Sequence, residues 1–353
     1  MDVLRLAGVP GVGKSTVAWA VARQLAVEGV RVGYVDIDQL GMCYPAPADD
    51  PDRWSLKERA LARVAAQFAA SGVERLVVSG VAEPSAPPQG NGHPTVSLWL
   101  GADEVTRRER LAPRGWAREQ VDEVLAIGTR ETASAHWGWT RVETDGSPVN
   151  GTVRAVRGLW RGGIAGVVPV SAVADAGTTE HVVWITGPRC AGASRVGWET
   201  VAPLWAEGRR TGFIDVAQLD FAWNVDTRLG MRNAAELQRV FSAAGARTLV
   251  AVAPLEVSPD EVRAAFPRAD VRLIRLDADE ESRRDRALRR AAGTDALLAG
   301  DDLIGASERV IEEIVALGSR QRETPVRAGE RVIDTTATPL PQVVAQVAAE
   351  LAR

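Results

Sequence analysis

The stretch Gly8-Val9-Pro10-Gly11-Val12-Gly13-Lys14-Ser15-Thr16 decides the fold. It fits G-x-x-x-x-G-K-[ST]. The apolar run Val3–Ala7 precedes it, and the helical pattern Ser15–Val27, closed by Gly29, follows it. Glycines let the backbone curl until successive N–H groups point inward, where they can cradle phosphate oxygens. The first turn of the following helix adds partial positive charge. Gly8, Pro10, Gly11, Val12, Gly13, Lys14, Ser15 and Thr16 are therefore the candidate nucleotide-binding residues. In this motif the lysine ammonium reaches the β- and γ-phosphates and the first hydroxyl holds Mg²⁺.

Composition sharpens the weight of Lys14. The 353 residues carry 42 basic and 46 acidic side chains, a net charge of −4. Only Lys14 and Lys57 among the basic residues are lysines. A compact ammonium and a guanidinium fork are not equivalent on a phosphate chain, so a lysine retained at that position is informative. The charge balance argues against a protein held to nucleic acid or to an anionic membrane. Cys43 and Cys190 cannot build a disulfide framework, which favours a reducing compartment. The N-terminal residues lack a basic region followed by a long apolar core. The longest uncharged apolar stretch, 162–174, contains Pro169 and falls short of the roughly 20 residues a membrane span needs. These readings together predict a cytoplasmic protein. At about 150 residues per domain the length predicts two domains.

Self-similarity says what those two domains are. At one constant offset, Gly8 falls on Gly187, Gly13 on Gly192, Ser15 on Ser194 and Trp19 on Trp198. Tyr34-Val35-Asp36 falls likewise on Phe213-Ile214-Asp215. Further on, Arg107, Arg108, Arg110 and Arg114 match Arg283, Arg284, Arg286 and Arg290. Ordered matches of this kind point to a tandem duplication. The expected domains are residues 1–158 and 179–353, joined by a linker at 159–178. Within the first, the strand candidates are Val3–Ala7, Val32–Val35, Leu76–Ser79, Thr95–Leu100 and Thr140–Thr144, alternating with helices such as Leu56–Ala70. That alternation predicts an α/β fold in which each domain is a parallel sheet with helices on both faces.

The second loop, Gly187-Pro188-Arg189-Cys190-Ala191-Gly192-Ala193-Ser194-Arg195, is degenerate. Ala193 replaces the lysine, Cys190 replaces the middle glycine, and Pro203 falls inside the next helix. Weak or absent nucleotide binding is expected there. A second reading keeps that loop active, with Arg189 or Arg195 supplying the charge.

After the second strand comes Val35-Asp36-Ile37-Asp38-Gln39. Alternate acids at a strand's C-terminal end place two carboxylates at the sheet edge where α/β proteins bind ligands. The plain alternative is a pair of exposed loop acids, one of them capping a helix. With this pair and the loop together, the N-terminal half resembles the P-loop small-molecule and nucleoside-monophosphate kinases, such as shikimate kinase, adenylate kinase and chloramphenicol phosphotransferase. The resemblance spans the whole of that half and is specific chiefly at the loop.

It implies two tandem P-loop NTPase domains, with ATP and Mg²⁺ as cofactors and a small-molecule phosphate acceptor. It also implies that Asp36 and Asp38 share the metal-shell and acceptor-base roles, with Ser15 and Asp36 at the metal. ATP over GTP also rests on the resemblance, since no N/T-K-x-D guanine-reading motif is visible. Arg110 and Arg114 are similar to the lid arginines that steady the transferring phosphoryl. Against this, Arg286 and Arg290 keep the spacing beside the degenerate loop, and a solvated Arg-rich helix face is an equal reading. Arg53, Trp54 and Lys57 fall where the resemblance puts acceptor contacts, and core packing is the competing role for Trp54.

One position departs from the pattern. Ser79 stands where many P-loop proteins carry an aspartate, with Glu83 as a spare metal candidate. A binding switch or scaffold with little turnover is therefore the alternative function. Trp137, Trp139 and Trp160 are expected to pack between domains, with a ligand-stacking wall as the second reading. His93, His136 and His181 share no metal-ligand spacing.

Overall fold

The computed structural model describes residues 1–114, 116–162, 179–225, 228–293 and 303–351. The chain opens with β1 (Asp2–Ala7), α1 (Lys14–Val27), β2 (Val32–Asp36), α2 (Ile37–Leu40), β3 (Cys43–Tyr44) and α3 (Trp54–Ala70). Then come β4 (Arg75–Ser79), β5 (Thr95–Gly101), α4 (Glu104–Leu111), α5 (Arg118–Ser134), β6 (Thr140–Glu143) and α6 (Val149–Gly162). The later part begins with β7 (His181–Thr186), α7 (Ala193–Ala206), β8 (Thr211–Asp215), β9 (Ala222–Trp223), α8 (Gly230–Ala243) and β10 (Thr248–Val252). It closes with α9 (Pro259–Ala265), β11 (Asp270–Asp277), α10 (Glu280–Ala291), α11 (Glu308–Arg322), β12 (Glu330–Asp334) and α12 (Leu340–Ala348).

Two six-stranded sheets result, ordered β6-β5-β1-β4-β2-β9 and β12-β11-β7-β10-β8-β3. All pairings are parallel except the two edge ones, β2 with β9 and β8 with β3, which are antiparallel. The core strands are buried on both faces, as near-continuous Val/Leu/Ile runs should be. Side-chain alternation along β2 shows how the helices divide. Tyr34 meets Trp19 of α1 at 5.2 Å between ring centroids. Gly33 points the other way, where a Cβ would lie 2.6 Å from the Phe68 ring of α3. Only a residue without a side chain lets that phenyl ring sit on the strand.

The compact units differ from the contiguous domains 1–158 and 179–353 that the sequence suggests. The first comprises Met1–Gly41, Asp50–Val173 and Asp220–Leu229, and the second Met42–Asp49, Ala174–Leu219 and Gly230–Arg353. The reason is edge pairing. In the first unit, Ala222 and Trp223 pair with Gly33 and Val32. In the second, Cys43 and Tyr44 pair with Gly212 and Thr211. Each short segment completes an edge that would otherwise leave backbone donors and acceptors open. Helix α6 runs to Gly162, beyond the expected boundary at 158, and residues 163–178 of the expected linker lie outside the described residues.

Candidate functional site

The loop after β1 is curled by three glycines in the left-handed region, Gly8 at φ 142°, Gly11 at φ 89° and Gly13 at φ 88°. A Cβ on Gly8 would lie 2.5 Å from the Leu100 carbonyl oxygen. Gly13 is the N-cap of α1 and offers no side chain to the helix end. No side chain caps the first-turn N–H groups, the position where helix ends take anions. Lys14 Nζ folds back over the loop and donates to the Val9 carbonyl at 3.0 Å. Ser15 and Thr16 are exposed at the helix mouth, Val12 is buried, and Pro10 is half-buried.

The arginines of α4 hold this loop from behind. Arg107, only 2% exposed, donates from Nε to the Pro10 carbonyl at 3.1 Å and from its other nitrogens to Leu125 and Val124 carbonyls. Arg110 donates to the Gly11 carbonyl at 3.4 Å, to Thr144 Oγ1 at 2.9 Å and to the Thr144 carbonyl at 3.0 Å. Thr144 Oγ1 in turn lies 3.0 Å from the Val12 carbonyl. The second unit repeats the arrangement, with Arg286 on the Cys190, Ala191 and Thr335 carbonyls and on Thr335 Oγ1.

Carbonyls and a threonine hydroxyl thus occupy the Arg110 guanidinium, which ties α4 to the loop. The side chain of Arg114 lies outside the described residues. Arg108 faces solvent and pairs with Asp122 and Glu104. Thr144 and Arg107 were not singled out by sequence as functional. The signal available was repetition, Arg107 recurring as Arg283 and Thr144, after the last strand of its half, recurring as Thr335.

The acids sit at the neighbouring strand end. Because β4 lies between β1 and β2, Ser79 and Asp36 end adjacent strands in register, beside the loop. Asp36 Oδ2 accepts from Ser15 Oγ at 3.4 Å and from Ser79 Oγ at 3.3 Å, and Oδ1 accepts from the Asp38 amide at 2.9 Å. Asp36 is thus the N-cap of α2 as well as a neighbour of the loop. Burial, helped by the Asp38 charge, pushes its carboxyl up to about 6, against the Asp38 amide bond and the Lys14 charge.

Asp38 makes an ion pair with Lys57, Nζ to Oδ1 at 3.3 Å. Lys57 is 5% exposed and lies over the Trp54 ring at 4.8 Å. Burial lowers its ammonium below the ordinary lysine range, and Asp38 opposes that. Arg53 donates to the Gly41 carbonyl at 3.1 Å. Glu131 is held above the usual glutamate range by burial, with Lys14 and Arg107 pulling it down. Nothing in the sequence marked it.

Beside Trp54 lies a shallow, water-sized recess lined by Arg5, Trp54, Glu58, Glu83, Gln89 and Trp139. Glu83, the spare metal candidate, belongs to this recess. Arg5 and Glu58 form a buried ion pair there. Trp139 is buried within the first unit's own core, 5.7 Å from Trp99, and Trp160 packs against that same core. Trp137 is 90% exposed. Neither of the first two fits the expectation of packing between domains.

The second loop lacks these chemical parts. Ala193 stands at the lysine position, and Cys190 takes the middle glycine's place at φ 66°. Ser194 still donates to Asp215 Oδ2 at 3.1 Å. Burial raises the Asp215 carboxyl above its ordinary range. Arg195 is paired with Glu199 at 2.9 Å, and the Arg189 amide donates to Gln321. Among the described residues no cluster of three or more His, Cys, Asp or Glu side chains could hold a metal ion, and no helix is long and apolar enough to cross a membrane.

No curated protein sequence matches the chain. Similar solved structures include APE1195, at 18% identity, TM-score 0.34, over 49% of this chain and 96% of its own. A sugar kinase from Janibacter sp. HTCC2649 is similar at 19% identity, TM-score 0.32, over 46% and 94%. A gluconokinase from Sinorhizobium meliloti 1021 is similar at 18% identity, TM-score 0.31, over 50% and 94%. A family model described as an AAA domain matches residues 5–131, which include the loop, the acidic pair and the α4 arginines. The N-terminal segment 5–131 is thus similar to an AAA domain.

Proposed function

We propose that the first unit binds Mg·ATP and transfers its γ-phosphoryl to a small hydroxyl- or phosphate-bearing acceptor. The observation that carries this reading is the approach of Ser15 Oγ to Asp36 Oδ2, 3.4 Å, on the loop that bears Lys14. Loop amides and the α1 N-terminus take the phosphates. Lys14 swings from the Val9 carbonyl to the β- and γ-oxygens. The hydroxyl of Ser15 and the carboxylate of Asp36 are hard oxygen donors side by side, the donor set that suits Mg²⁺ alongside phosphate oxygens. When bound, that ion offsets charge on the transferring group.

Asp38, with 44% of its side chain exposed, faces the acceptor side, where Lys57 and Trp54 stand. It orients the acceptor and takes the proton of an acceptor hydroxyl. The bond from the β–γ bridging oxygen to Pγ breaks, the bond from the acceptor oxygen to Pγ forms, and ADP leaves. Arg110 and Thr144 keep the loop in shape. Arg114 remains a lid proposal.

The second unit, without the lysine, is a non-catalytic partner descended from the same ancestral domain. Cys43 and Cys190 form no disulfide, which accords with a reducing, cytoplasmic setting. A nucleotide switch is the second reading, favoured by Ser79 where an acid is common.

Purified protein with Mg·ATP, offered a metabolite pool and followed by mass spectrometry, separates the two. The expected result is one acceptor gaining one phosphate. Tight nucleotide binding with no phosphorylated product would leave the switch. Lys14→Ala is expected to abolish ATP binding by the whole chain, and retained stoichiometric binding would show that the second loop is active.

A further inference from the structure

The two units offer an internal comparison that bears on Ser79. In the first, Tyr34 Oη lies 2.9 Å from Ser79 Oγ, which donates to Asp36 Oδ2 at 3.3 Å. Asp36 can only accept as a carboxylate, so the chain of donors runs from Tyr34 to Ser79 to Asp36. Tyr34 and Ser79 are both buried. A buried hydroxyl without a partner is costly, and these two satisfy one another in a line that ends on the carboxylate.

Register fixes the matching positions in the second unit. Asp36 pairs across with Ser79, and Asp215 pairs across with Val252. Val252 therefore stands for Ser79, and Phe213 for Tyr34. The tryptophan beside the ring and the backbone pairing of its residue recur. Tyr34 packs on Trp19, and its amide donates to the Phe221 carbonyl at 2.9 Å. Phe213 packs on Trp198 at 6.0 Å, and its amide donates to the Met42 carbonyl at 2.7 Å. Packing and backbone pairing are thus met by phenylalanine and valine, without either hydroxyl. The hydroxyls are present only in the unit that also keeps Lys14, Asp38 and Lys57. In the other unit Ala193 and Ala217 replace the first two. Counting from Phe68 and Phe241, which cover Gly33 and Gly212 alike, Gly230 takes the place of Lys57.

We propose that Tyr34 and Ser79 are positioning residues. They hold the Asp36 oxygen that faces Ser15, and so set the metal side of the site. The edge strand Ala222–Trp223 locks Tyr34 in turn. Phe221 and Trp223 crowd Trp19 at 4.9 and 5.3 Å, and Phe221 lies 6.0 Å from the Tyr34 ring. In this unit the segment from the later part of the chain serves the carboxylate through Tyr34. The inference rests on the Mg·ATP reading above.

The test compares ATP binding by calorimetry, with magnesium and with EDTA, for the full chain, Tyr34→Phe, Ser79→Ala and Ser79→Thr. Each removed hydroxyl is expected to cut the magnesium-dependent gain in affinity about three- to tenfold, with affinity in EDTA unchanged. Ser79→Thr restores the gain. A purely structural role would weaken both conditions together, and that result overturns the proposal. A wild-type chain with a magnesium-dependent gain that both Tyr34→Phe and Ser79→Ala retain in full also overturns it, and leaves the nucleotide reading standing. A wild-type chain that binds no ATP in either buffer overturns both. Phe213 shows that the fold accepts phenylalanine at this position, so Tyr34→Phe alone decides the matter should Ser79→Ala fail to fold.

Discussion

The Nζ of Lys57 lies 3.3 Å from Oδ1 of Asp38. The chain has two lysines, and both stand at this site, one on the loop and one on the acid pair. The pair is unequally exposed, with 7% of the lysine side chain and 44% of the aspartate side chain open to solvent. Removing the aspartate strands a buried ammonium, whereas a flat apolar stem can replace the lysine. Asp38→Ala is therefore expected to cost about 1–3 kcal/mol, discounted from a fully buried pair because the carboxylate is half open. Lys57→Met should shift stability by less than about 1.5 kcal/mol while phosphoryl transfer falls. Chemical denaturation and a product assay on both variants check the contrast.

Gly128 and Gly318 make a matched pair of tests. A Cβ on Gly128 would strike the Arg107 guanidinium and come within 2.9 Å of Val9 Cβ. A Cβ on Gly318 would strike the Arg283 guanidinium and come within 3.0 Å of the Arg189 carbonyl. Both alanine variants should lose about 1–3 kcal/mol through overpacking. Only Gly128→Ala should also weaken ATP binding, since only that arginine backs a lysine-bearing loop. Equal loss of ATP affinity in both would count against the assignment of binding to the first unit.

Asp215 carries a burial cost without the lysine that would use it. Its folded carboxyl is raised, so the folded state holds the proton more tightly than the unfolded chain does. Stability should fall as pH rises from the unfolded value near 4 through the raised folded value, and stay low beyond it. Asp215→Asn should then raise Tm at pH 7, with the advantage shrinking as pH drops towards 4. A thermal melt series in pH reads this directly, and an unchanged or lower Tm at pH 7 would refute it.

The exchanged edge strands predict that the halves depend on one another's sequence. A fragment of residues 1–162 lacks the Ala222–Trp223 strand and the Asn224 amide, which donates to the Ala26 and Val30 carbonyls at 2.8 Å. It should melt well below the full chain and expose the β2 edge to self-association. Light scattering and circular dichroism of the fragment against the full chain test this. A fragment that is monomeric and melts with the full chain would show that the segment is dispensable.

Much of the site was legible as sequence because its signals are local. Gly8 to Thr16 encode curvature, charge and a helix start within nine positions. The apolar runs located β1, β2, β4, β5 and β6 to within a residue or so at most ends. Asp36 and Asp38 followed from alternation at a strand end. Other features needed partners far along the chain. Arg107 and Arg110 looked like one arginine-rich helix face. Their carbonyl partners across the fold turned them into braces of the loop. Ser79 read as a missing acid until register placed it against Asp36 and under Tyr34.

The sequence by itself determined the strand–helix alternation, the phosphate-cradling loop and the loss of its lysine in the second loop. Each follows from residue identity and short-range geometry. Only the tertiary structure decided that Lys57 meets Asp38, that Tyr34 and Ser79 line up on Asp36, and that residues 222–223 close the edge of β2. A period of two fixes which face a side chain takes, but not which strand lies beside it. Hydrogen-bond partners 43 to 45 residues apart, like those of Ser79, are set by sheet order and register, which emerge only when the whole unit has packed.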